Sequence, residues 1–357
     1  MWVKIEPDGE SELTFTWGNT GGPYPCTYSV GRQSIVDVAN DIRGVLEELA
    51  KWSQFKDPQQ LPALLRRLAT EGERLHFVTF YCPSKAADIS LLKDWIAEQL
   101  EAGDNELAIT ADSNLDVPWG FVFDGDTAFL GDSSASIADF DQFWALKFKL
   151  SMVFSASAWP SKSCRPRGTY KILSIINPDV FARVSPKLRD ELLNLLKAPV
   201  GIAYNLERCE KLVAEAARSD TLIHFFGHCK DGKLDLGEEE IDSIRFKMMI
   251  EKLLGRRGDR PPSYNLIFLN ACETLAGKLD ASFRSAAAQP GLCGIIATEA
   301  SVPQAFAENF GLRFLRSMLE NGISVGETME ALRRDPDLWP LNLLYTCYAR
   351  GDYRIAP

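Results

Sequence analysis

Two short apolar runs that end abruptly constrain this chain more than any other feature. Residues 222–226 precede Gly227 and His228, and residues 266–270 stand just before Cys272. A run of this kind is typical of a buried strand of a parallel sheet, with a loop at its carboxyl end. Sites in open α/β sheets are built at those ends. If the two strands are neighbours, His228 and Cys272, which are 44 positions apart, emerge side by side. An imidazole beside a thiol is the minimum equipment for nucleophilic catalysis by cysteine.

The second half of the chain alternates between strand and helix patterns. Strands are predicted over 171–176, 201–204, 222–226, 264–269 and 292–297, and helices over 185–197, 206–218, 243–254, 280–288 and 304–320, with a further helix after a capping box at Ser324 and a small hairpin over 232–240. Such alternation implies βαβ units. The predicted fold class is therefore α/β, a mainly parallel sheet with helices on both faces.

The first half also reads as α/β but with less regularity. A hairpin is predicted from strands 12–17 and 24–30, helices over 34–52, 59–68, 87–101 and 140–154, and strands over 107–110 and 117–123, whereas 75–81 is open between a helix extension and a strand. The Ser/Pro/Arg-rich stretch 155–168 breaks the pattern and predicts a boundary. It divides an N-terminal bracing region, 1–160, from a catalytic region, 161–357. We favour a solvated connecting loop there over a protease-sensitive activation loop.

Composition excludes several classes of function. The net charge of −10 argues against a nucleic-acid partner or a membrane surface, because either requires a basic face. No apolar stretch approaches ~18 residues, and the N-terminus lacks the pattern of a signal peptide, so a cytoplasmic location is expected. The eight cysteines include no C-x-x-C pair, and no glycine-rich phosphate loop occurs. We therefore expect reduced cysteines, no metal and no cofactor.

The three histidines differ in their surroundings. His224 lies inside an apolar run and is predicted to be a core histidine, as is His76, whereas His228 stands at a strand end. Cys272 also ends a strand and precedes a predicted helix, whose dipole and free N–H groups would favour a thiolate. The alternative of a buried, inert thiol fits the other apolar-segment cysteines better, namely Cys26, Cys82, Cys209, Cys293 and Cys347.

At these residues the chain resembles a known family. Asn270-Ala271-Cys272, with His228 upstream, is similar to the Q-A-C motif and distant histidine of caspases. Further segments resemble the CHAT family of caspase-like cysteine peptidases, namely 117–120, 294–299, 306–322 and 341–346. This family is related to caspases, metacaspases, separases and gingipains. The resemblance covers roughly residues 80–357. It implies a caspase-like sheet in the catalytic half. The N-terminal half is expected to be a pseudo-caspase-like unit, and its strands are expected to extend that sheet into one continuous pseudo-symmetric sheet.

The resemblance also implies roles for individual residues. Cys272 would attack a peptide carbonyl, and His228 would act as general base and then as acid to the leaving amine. Backbone N–H groups of Cys272 and Cys229 would bind the oxyanion. The family has glycine where this chain has Cys229, so a β-carbon could crowd the loop or forbid a positive φ. A regulatory disulfide between Cys229 and Cys272 is a further hypothesis.

Two residues are predicted to line a substrate pocket. Asn270 matches a position that lines the primary specificity pocket in caspases and metacaspases. Glu299 is a candidate for an acidic wall of the kind with which many relatives select Lys or Arg, although a solvent-facing loop glutamate is the favoured interpretation.

The resemblance implies a regulated cysteine endopeptidase of bacterial immunity or cell death. The implied partners are a protein substrate, such as a gasdermin or another zymogen, and an activating protein. A catalytically silent scaffold of the same fold that binds a protein partner is the alternative, and the glycine-to-Cys229 change is its main support. A flavodoxin-like ligand binder is disfavoured, because no phosphate-cradling loop occurs.

Overall fold

The structure is a computed structural model. It describes residues 1–112, 115–153, 170–196, 201–217, 219–254, 265–271, 283, 289 and 292–355. The chain divides into two compact units. One comprises Met1–Trp159 together with Arg333–Pro340, and the other comprises Pro160–Leu332 together with Leu341–Pro357. The bracing and catalytic roles given to the two regions stay predictions.

The N-terminal unit begins with three strands and continues with three long helices. Its elements are β1 (Trp2–Asp8), β2 (Glu12–Asn19), β3 (Gly22–Gly31), α1 (Arg32–Phe55), α2 (Leu61–Thr79), α3 (Ala86–Glu101), β4 (Glu106–Ala111), α4 (Trp144–Lys147) and β5 (Lys149–Val153). The predicted hairpin and the helices beginning near 34, 59 and 87 are confirmed. Segment 75–81 was undecided from the sequence, and the structure extends α2 through Thr79.

The five strands of this unit form a sheet of their own, in the order β3-β2-β1-β4-β5. Strand β1 runs antiparallel to β2 and parallel to β4, and β4 runs parallel to β5. Its core is aromatic, with Phe15, Trp17 and Tyr28 of the hairpin almost fully buried. Burial of each such side chain contributes about 1.5–3 kcal/mol. Among the described residues, these five strands and the strands of the other unit are grouped in separate sheets, and the expectation of one continuous sheet stays a prediction.

Two predictions in this unit are wrong for local reasons. The run 117–123 contains Pro118, which has no N–H to give to a strand ladder. It forms a 3₁₀ turn at Trp119–Phe121, and Phe123 makes an isolated antiparallel bridge to Phe143. The predicted helix 140–154 is limited to α4, because Phe148 is extended and the chain then alternates with period two along β5.

The second unit contains the regular alternation that the sequence predicts. Its elements are β6 (Lys171–Ile176), α5 (Pro178–Arg183), α6 (Pro186–Leu195), β7 (Gly201–Ala203), α7 (Leu206–Ala216), β8 (Thr221–Phe226), β9 (His228–Lys230), β10 (Lys233–Asp235), β11 (Glu240–Asp242), α8 (Ser243–Leu254), β12 (Asn265–Asn270), β13 (Leu292–Thr298), α9 (Gln304–Leu319), α10 (Val325–Arg333) and β14 (Tyr345–Ala349). The short helix α5 was not predicted, and the predicted helix 280–288 lies outside the described residues.

Six strands of this unit form a second sheet, in the order β14-β13-β12-β8-β6-β7. All neighbouring pairs are parallel except the edge pair of β13 and β14. Every residue of β8 and β12 is buried, as an apolar run requires when both faces of a sheet are covered. The α/β fold class is confirmed.

Helices α6 and α9 contact one face of this sheet. Residues of both helices, with His224, Phe226 and Asn270 of the sheet, line a common small cavity. Phe268 packs on Phe314 of α9, with ring centroids 4.5 Å apart. The predicted capping box at α10 is present, since the Ser324 hydroxyl and backbone N–H both bind the Glu327 carboxylate while Glu327 N–H donates back. None of the helices in the described ranges combines the length and the apolarity needed to cross a membrane.

Candidate active site

The carboxyl ends of β8 and β12 lie level with each other. The parallel register pairs Phe226 with Asn270, the last residues of the two strands, and Phe226 also pairs with Ile176 of β6. The N–H of Gly227 donates to the carbonyl of Asn270 at 3.4 Å, so contact between the two chains continues one residue past β8. The neighbouring strands on which the sequence argument depended are confirmed as neighbours.

His228 begins a small antiparallel sheet, β11-β10-β9, directly after this strand end. Its side chain is exposed, and its partner across the ladder is Asp235 of β10. Gly227 makes the transition possible. A β-carbon on Gly227 would lie 2.8 Å from the Asn177 β-carbon and 3.1 Å from the Phe225 ring. A side chain there would force the histidine strand away from the end of β8.

Asn177 holds the histidine strand in place, and sequence analysis missed it. Its N–H donates to the carbonyl of Phe226 at 2.9 Å, and its side-chain Nδ2 donates to the carbonyl of Asp235 at 3.0 Å. Its Oδ1 accepts from the N–H groups of Asp179 and Val180 and so caps α5. The residue is buried. Asparagine before proline at the end of a strand is a helix-start pattern that could have identified it.

Cys229 lies in extended backbone in β9, where a β-carbon is accommodated, so the expected conflict with a positive φ does not arise. A two-residue turn at Asp231 and Gly232, both with positive φ, joins β9 to β10. Lys230 and Lys233 close that turn, and Cys229 pairs with the next residue, Leu234. Hydrogen-bonded and non-hydrogen-bonded pairs alternate along an antiparallel ladder. The Cys229 amide therefore faces away from β10.

Cys272 and its backbone N–H lie outside the described residues. The chain leading to it is described as far as Ala271. The hydroxyl of Thr298 donates to the carbonyl of Ala271 at 2.6 Å, and both residues are buried. Thr298 therefore fixes the backbone one residue before Cys272. A threonine at the end of an apolar strand carries no signal of this role in the sequence.

Asn270 lies in the core, with 2% of its surface exposed. Its Nδ2 donates to the carbonyl of Ala307 in α9 at 2.9 Å, and its Oδ1 accepts from the Tyr345 hydroxyl. Helix α9 approaches closely here, since a β-carbon on Gly311 would lie 2.3 Å from Nδ2. The amide could contact a substrate only by giving up these bonds. Its place in a specificity pocket stays a prediction.

Glu299 is fully buried, so the solvent-facing interpretation is wrong. Its Oε1 accepts from the Tyr348 hydroxyl at 3.0 Å, and its N–H donates to the carbonyl of Leu344 at 2.9 Å. The antiparallel strand β14, which supplies Tyr348, converts a loop glutamate into a core residue. Its role as an acidic pocket wall stays a prediction.

His224 is a buried core histidine, as the sequence predicts. Its Nδ1 is 2.9 Å from the Ser174 hydroxyl, while its Nε2 is buried and has no hydrogen-bond partner among the residues that the structure describes. Burial lowers the pKa of His224 to about 3, because the charged form is not solvated. Its imidazole is therefore neutral at neutral pH and does not itself supply a charged group to the site.

Five of the six cysteines in the described ranges are reduced, as expected. Cys229 is a reduced cysteine, together with Cys26, Cys82, Cys209 and Cys347. Cys293, expected to be an inert thiol, is disulfide-bonded. The hypothesis of a regulatory Cys229–Cys272 disulfide stays a prediction. Within the described ranges, no cluster of three or more His, Cys, Asp and Glu side chains is placed to hold a metal ion.

Comparison with known proteins gives a distant similarity to a protease. No protein-family model matches the chain. The chain is 22% identical over 237 residues to a probable protease from Vitiosangium sp.. That alignment covers 60% of this chain and 30% of the relative, so the chain spans about a third of the length of the protein it matches.

Proposed function

We propose that this chain is a cysteine endopeptidase in which Cys272 is the nucleophile and His228 its proton-transfer partner. The observation that carries the proposal is the register that sets Phe226 opposite Asn270. His228 and Cys272 each follow these paired residues by two positions. Two parallel strands that end level therefore direct both segments to one edge of the sheet.

The proposed chemistry follows from these two groups. The imidazole takes the thiol proton, and the sulfur attacks the carbonyl carbon of a peptide bond. The carbonyl oxygen becomes an oxyanion, for which the Cys229 amide, directed away from β10, is a donor. The imidazolium returns its proton to the leaving amine as the C–N bond breaks. Water, deprotonated by the same imidazole, then releases the acid and regenerates the thiol.

The distant relative supports the coarser statement that the chain is a peptidase, since that protein is named a probable protease. The caspase-like type rests on the motif resemblance and the sheet register. A protein substrate such as a gasdermin or another zymogen, an activating protein partner, a role in bacterial immunity and a cytoplasmic location are parts of the proposal that only the resemblance and the composition suggest.

The test compares wild type with Cys272→Ala and His228→Ala, with reductant present because of the Cys293 disulfide. An electrophilic peptide probe should label wild type at Cys272, and both variants should lose labelling. Cleavage of a diverse peptide library should fall by at least about 10³-fold in each variant. Cys82→Ser is the matched control, because Cys82 is a half-buried thiol of the other unit. It should label and cleave like wild type.

Cleavage that survives both substitutions would show that the dyad is wrong. Probe labelling that stays with Cys272→Ala but disappears with Cys229→Ser would move the nucleophile to the neighbouring thiol. The silent scaffold would be favoured by two results together. The wild-type chain would resist labelling under reductant, and wild type and Cys272→Ala would capture a partner protein equally well. The extended backbone at Cys229 weakens the main argument for that scaffold, since the β-carbon does not distort the loop.

A further inference from the structure

A cavity in the N-terminal unit is unrelated to the proposed dyad. It has a volume of about 210 Å³ and lies between β2, β4, α2, α3 and the segment from Trp144 to Phe148. An apolar cavity of about 150 Å³ is large enough to take benzene. This cavity therefore has room for one aromatic ring with a short substituent.

The inner walls are aromatic. Trp17, Phe80, Trp144 and Phe148 line the cavity, and each is less than a tenth exposed. The Trp17 ring stacks on Phe80 at 5.7 Å and meets Trp144 edge-on at 6.1 Å, while Trp144 meets Phe148 edge-on at 5.9 Å. Rings that hold one another in this way form rigid, flat walls. A planar apolar group fits such walls with little loss of side-chain entropy.

One rim carries a hydrogen-bonded chain centred on Asp124. Its Oδ1 is 3.2 Å from His76 Nε2, and its Oδ2 accepts from Lys147 Nζ at 2.6 Å. Burial lowers the pKa of His76 to about 4, although the Asp124 carboxylate opposes this shift. The imidazole is therefore neutral near pH 7 and donates to Asp124. The Lys147 ammonium then balances the Asp124 charge, and this rim is close to neutral.

The other rim carries a cation. The Lys93 ammonium lies 5.0 Å from the centroid of the Phe80 ring, and within the described part of the chain it forms no ion pair. Asp94 also lines this rim, and both side chains are exposed on α3. Among the described residues the two form no ion pair, and Lys93 is the one whose charged group stands over the aromatic floor.

We propose that this cavity binds a small aromatic carboxylate, with its ring against Trp17, Phe80 and Trp144 and its carboxylate on the Lys93 ammonium. The aromatic walls select a flat apolar group, and the unpaired ammonium at the rim selects an anion. Neither feature belongs to the proposed peptidase site, so the cavity is a separate small-molecule site.

Calorimetric titration of the full chain tests this with three ligands of matched shape: phenylacetate, phenethyl alcohol and phenethylamine. Phenylacetate should bind saturably with a Kd of about 1 mM or tighter, in line with the binding energy available to so few atoms. The neutral and cationic ligands should bind at least about tenfold more weakly. Lys93→Met should weaken phenylacetate about tenfold and leave the alcohol unchanged.

Two further variants keep the test decisive. Lys51→Met removes an exposed helical lysine of the same unit and should bind phenylacetate like wild type. Leu100→Trp, at a half-buried position of the cavity lining, should fill the space and abolish binding of both phenylacetate and the alcohol while circular dichroism shows a folded chain. The proposal is overturned if phenylacetate fails to saturate, if it binds no better than the alcohol, if the amine binds best, or if Lys93→Met has no effect.

Discussion

At the scale of single residues, one buried side chain joins three backbone segments beside the candidate site. The Asn177 side chain caps α5 and donates to the carbonyl of Asp235. Its backbone N–H donates to the carbonyl of Phe226, the last residue of β8. We expect Asn177→Ala to lose about 2–3 kcal/mol of stability, from the cap and the buried bond together. We also expect it to lose most peptidase activity, because β10 holds the strand that carries His228. Urea denaturation and turnover of a peptide substrate measure the two effects.

Asn177→Asp separates the loss of the helix cap from the loss of the bond to β10, since a carboxylate keeps the cap but cannot donate to the Asp235 carbonyl. It should be as impaired in turnover as Asn177→Ala, although its buried carboxylate, which faces the Asp235 carbonyl, is itself destabilising. Asn205→Ala is the matched control, because Asn205 caps α7 through Arg208 N–H at 2.9 Å. It should lose about 1 kcal/mol and no activity. Normal turnover in a folded Asn177→Asp chain would contradict the positioning role.

A second residue-scale prediction concerns His224 and acid. Its pKa of about 3 lies below the usual ~6.5, so the unfolded chain takes up the proton first as the pH falls. Its contribution is fully present above about pH 6.5 and is lost between there and about pH 3, by up to about 1.4 kcal/mol per pH unit. The groups that face it are the Ser174 hydroxyl and, across the small cavity, Glu308.

His224→Gln removes this titration and keeps a polar group opposite Ser174. Urea midpoints at pH 7.5 and pH 5.0 should therefore lie closer together in the variant than in wild type. His76 is half-buried and also has a lowered pKa, so it contributes the same slope to both chains and cancels in the comparison. An unchanged difference between the two midpoints would show that the imidazole takes up its proton equally in the folded and unfolded chains.

At the scale of helices and strands, the central sheet could be predicted because its strands are continuous apolar runs. Strands β6, β8, β12 and β13 are almost entirely buried, and their ends are marked by small or polar residues. Elements whose pattern mixes two periods were not predictable. The segment from Phe140 to Val153 first buries aromatic residues in irregular turns and then buries Leu150 and Met152 in alternation along β5.

The candidate site likewise combines features that the sequence predicts with features that it does not predict. The strand-end position of His228 follows from local pattern, whereas the burial of Asn270 and Glu299 comes from partners far away in the chain. Tyr345 and Tyr348 lie 75 and 49 positions from the residues that they bond. A short stretch of sequence carries no information on partners so far away in the chain. A glutamate in a predicted loop, such as Glu299, is therefore predicted to be exposed.

The close approach of α9 to the sheet gives an element-scale prediction. A β-carbon on Gly311 would lie 2.3 Å from Asn270 Nδ2, so Gly311→Ala must push the helix outward or break the Asn270 bonds. We expect a loss of about 1–3 kcal/mol, as for other overpacked cores. Gly44→Ala, inside α1, is the opposite case, because nothing lies within 4 Å of its added β-carbon. It should gain up to about 1 kcal/mol from helix propensity. Equal effects of the two substitutions in urea denaturation would contradict this packing.

At the scale of the whole molecule, the two compact units do not follow a single cut in the sequence. The segment Arg333–Pro340 groups with the N-terminal unit, far from the other residues of that unit in the chain. Within this unit, the Trp339 indole N–H donates to the carbonyl of Ala135 at 2.7 Å, and its ring lies 6.1 Å from Phe140. Arg334 also donates to the carbonyl of Leu146. Residues 1–160 alone would therefore lack part of their own packing.

Trp339→Ala tests this arrangement. Loss of the half-buried ring and its hydrogen bond should destabilise the N-terminal unit by about 2 kcal/mol, less than for a fully buried tryptophan. Trp339→Phe keeps the contact with Phe140 and loses the bond, so it should lose about 1 kcal/mol. Hydrogen exchange should quicken in residues 135–148 of both variants, more strongly in Trp339→Ala, while strands β8 and β12 keep wild-type protection. Uniform acceleration in β8 and β12 as well would mean that the two units unfold as one, and unchanged exchange at 135–148 would remove Trp339 from the core of the N-terminal unit.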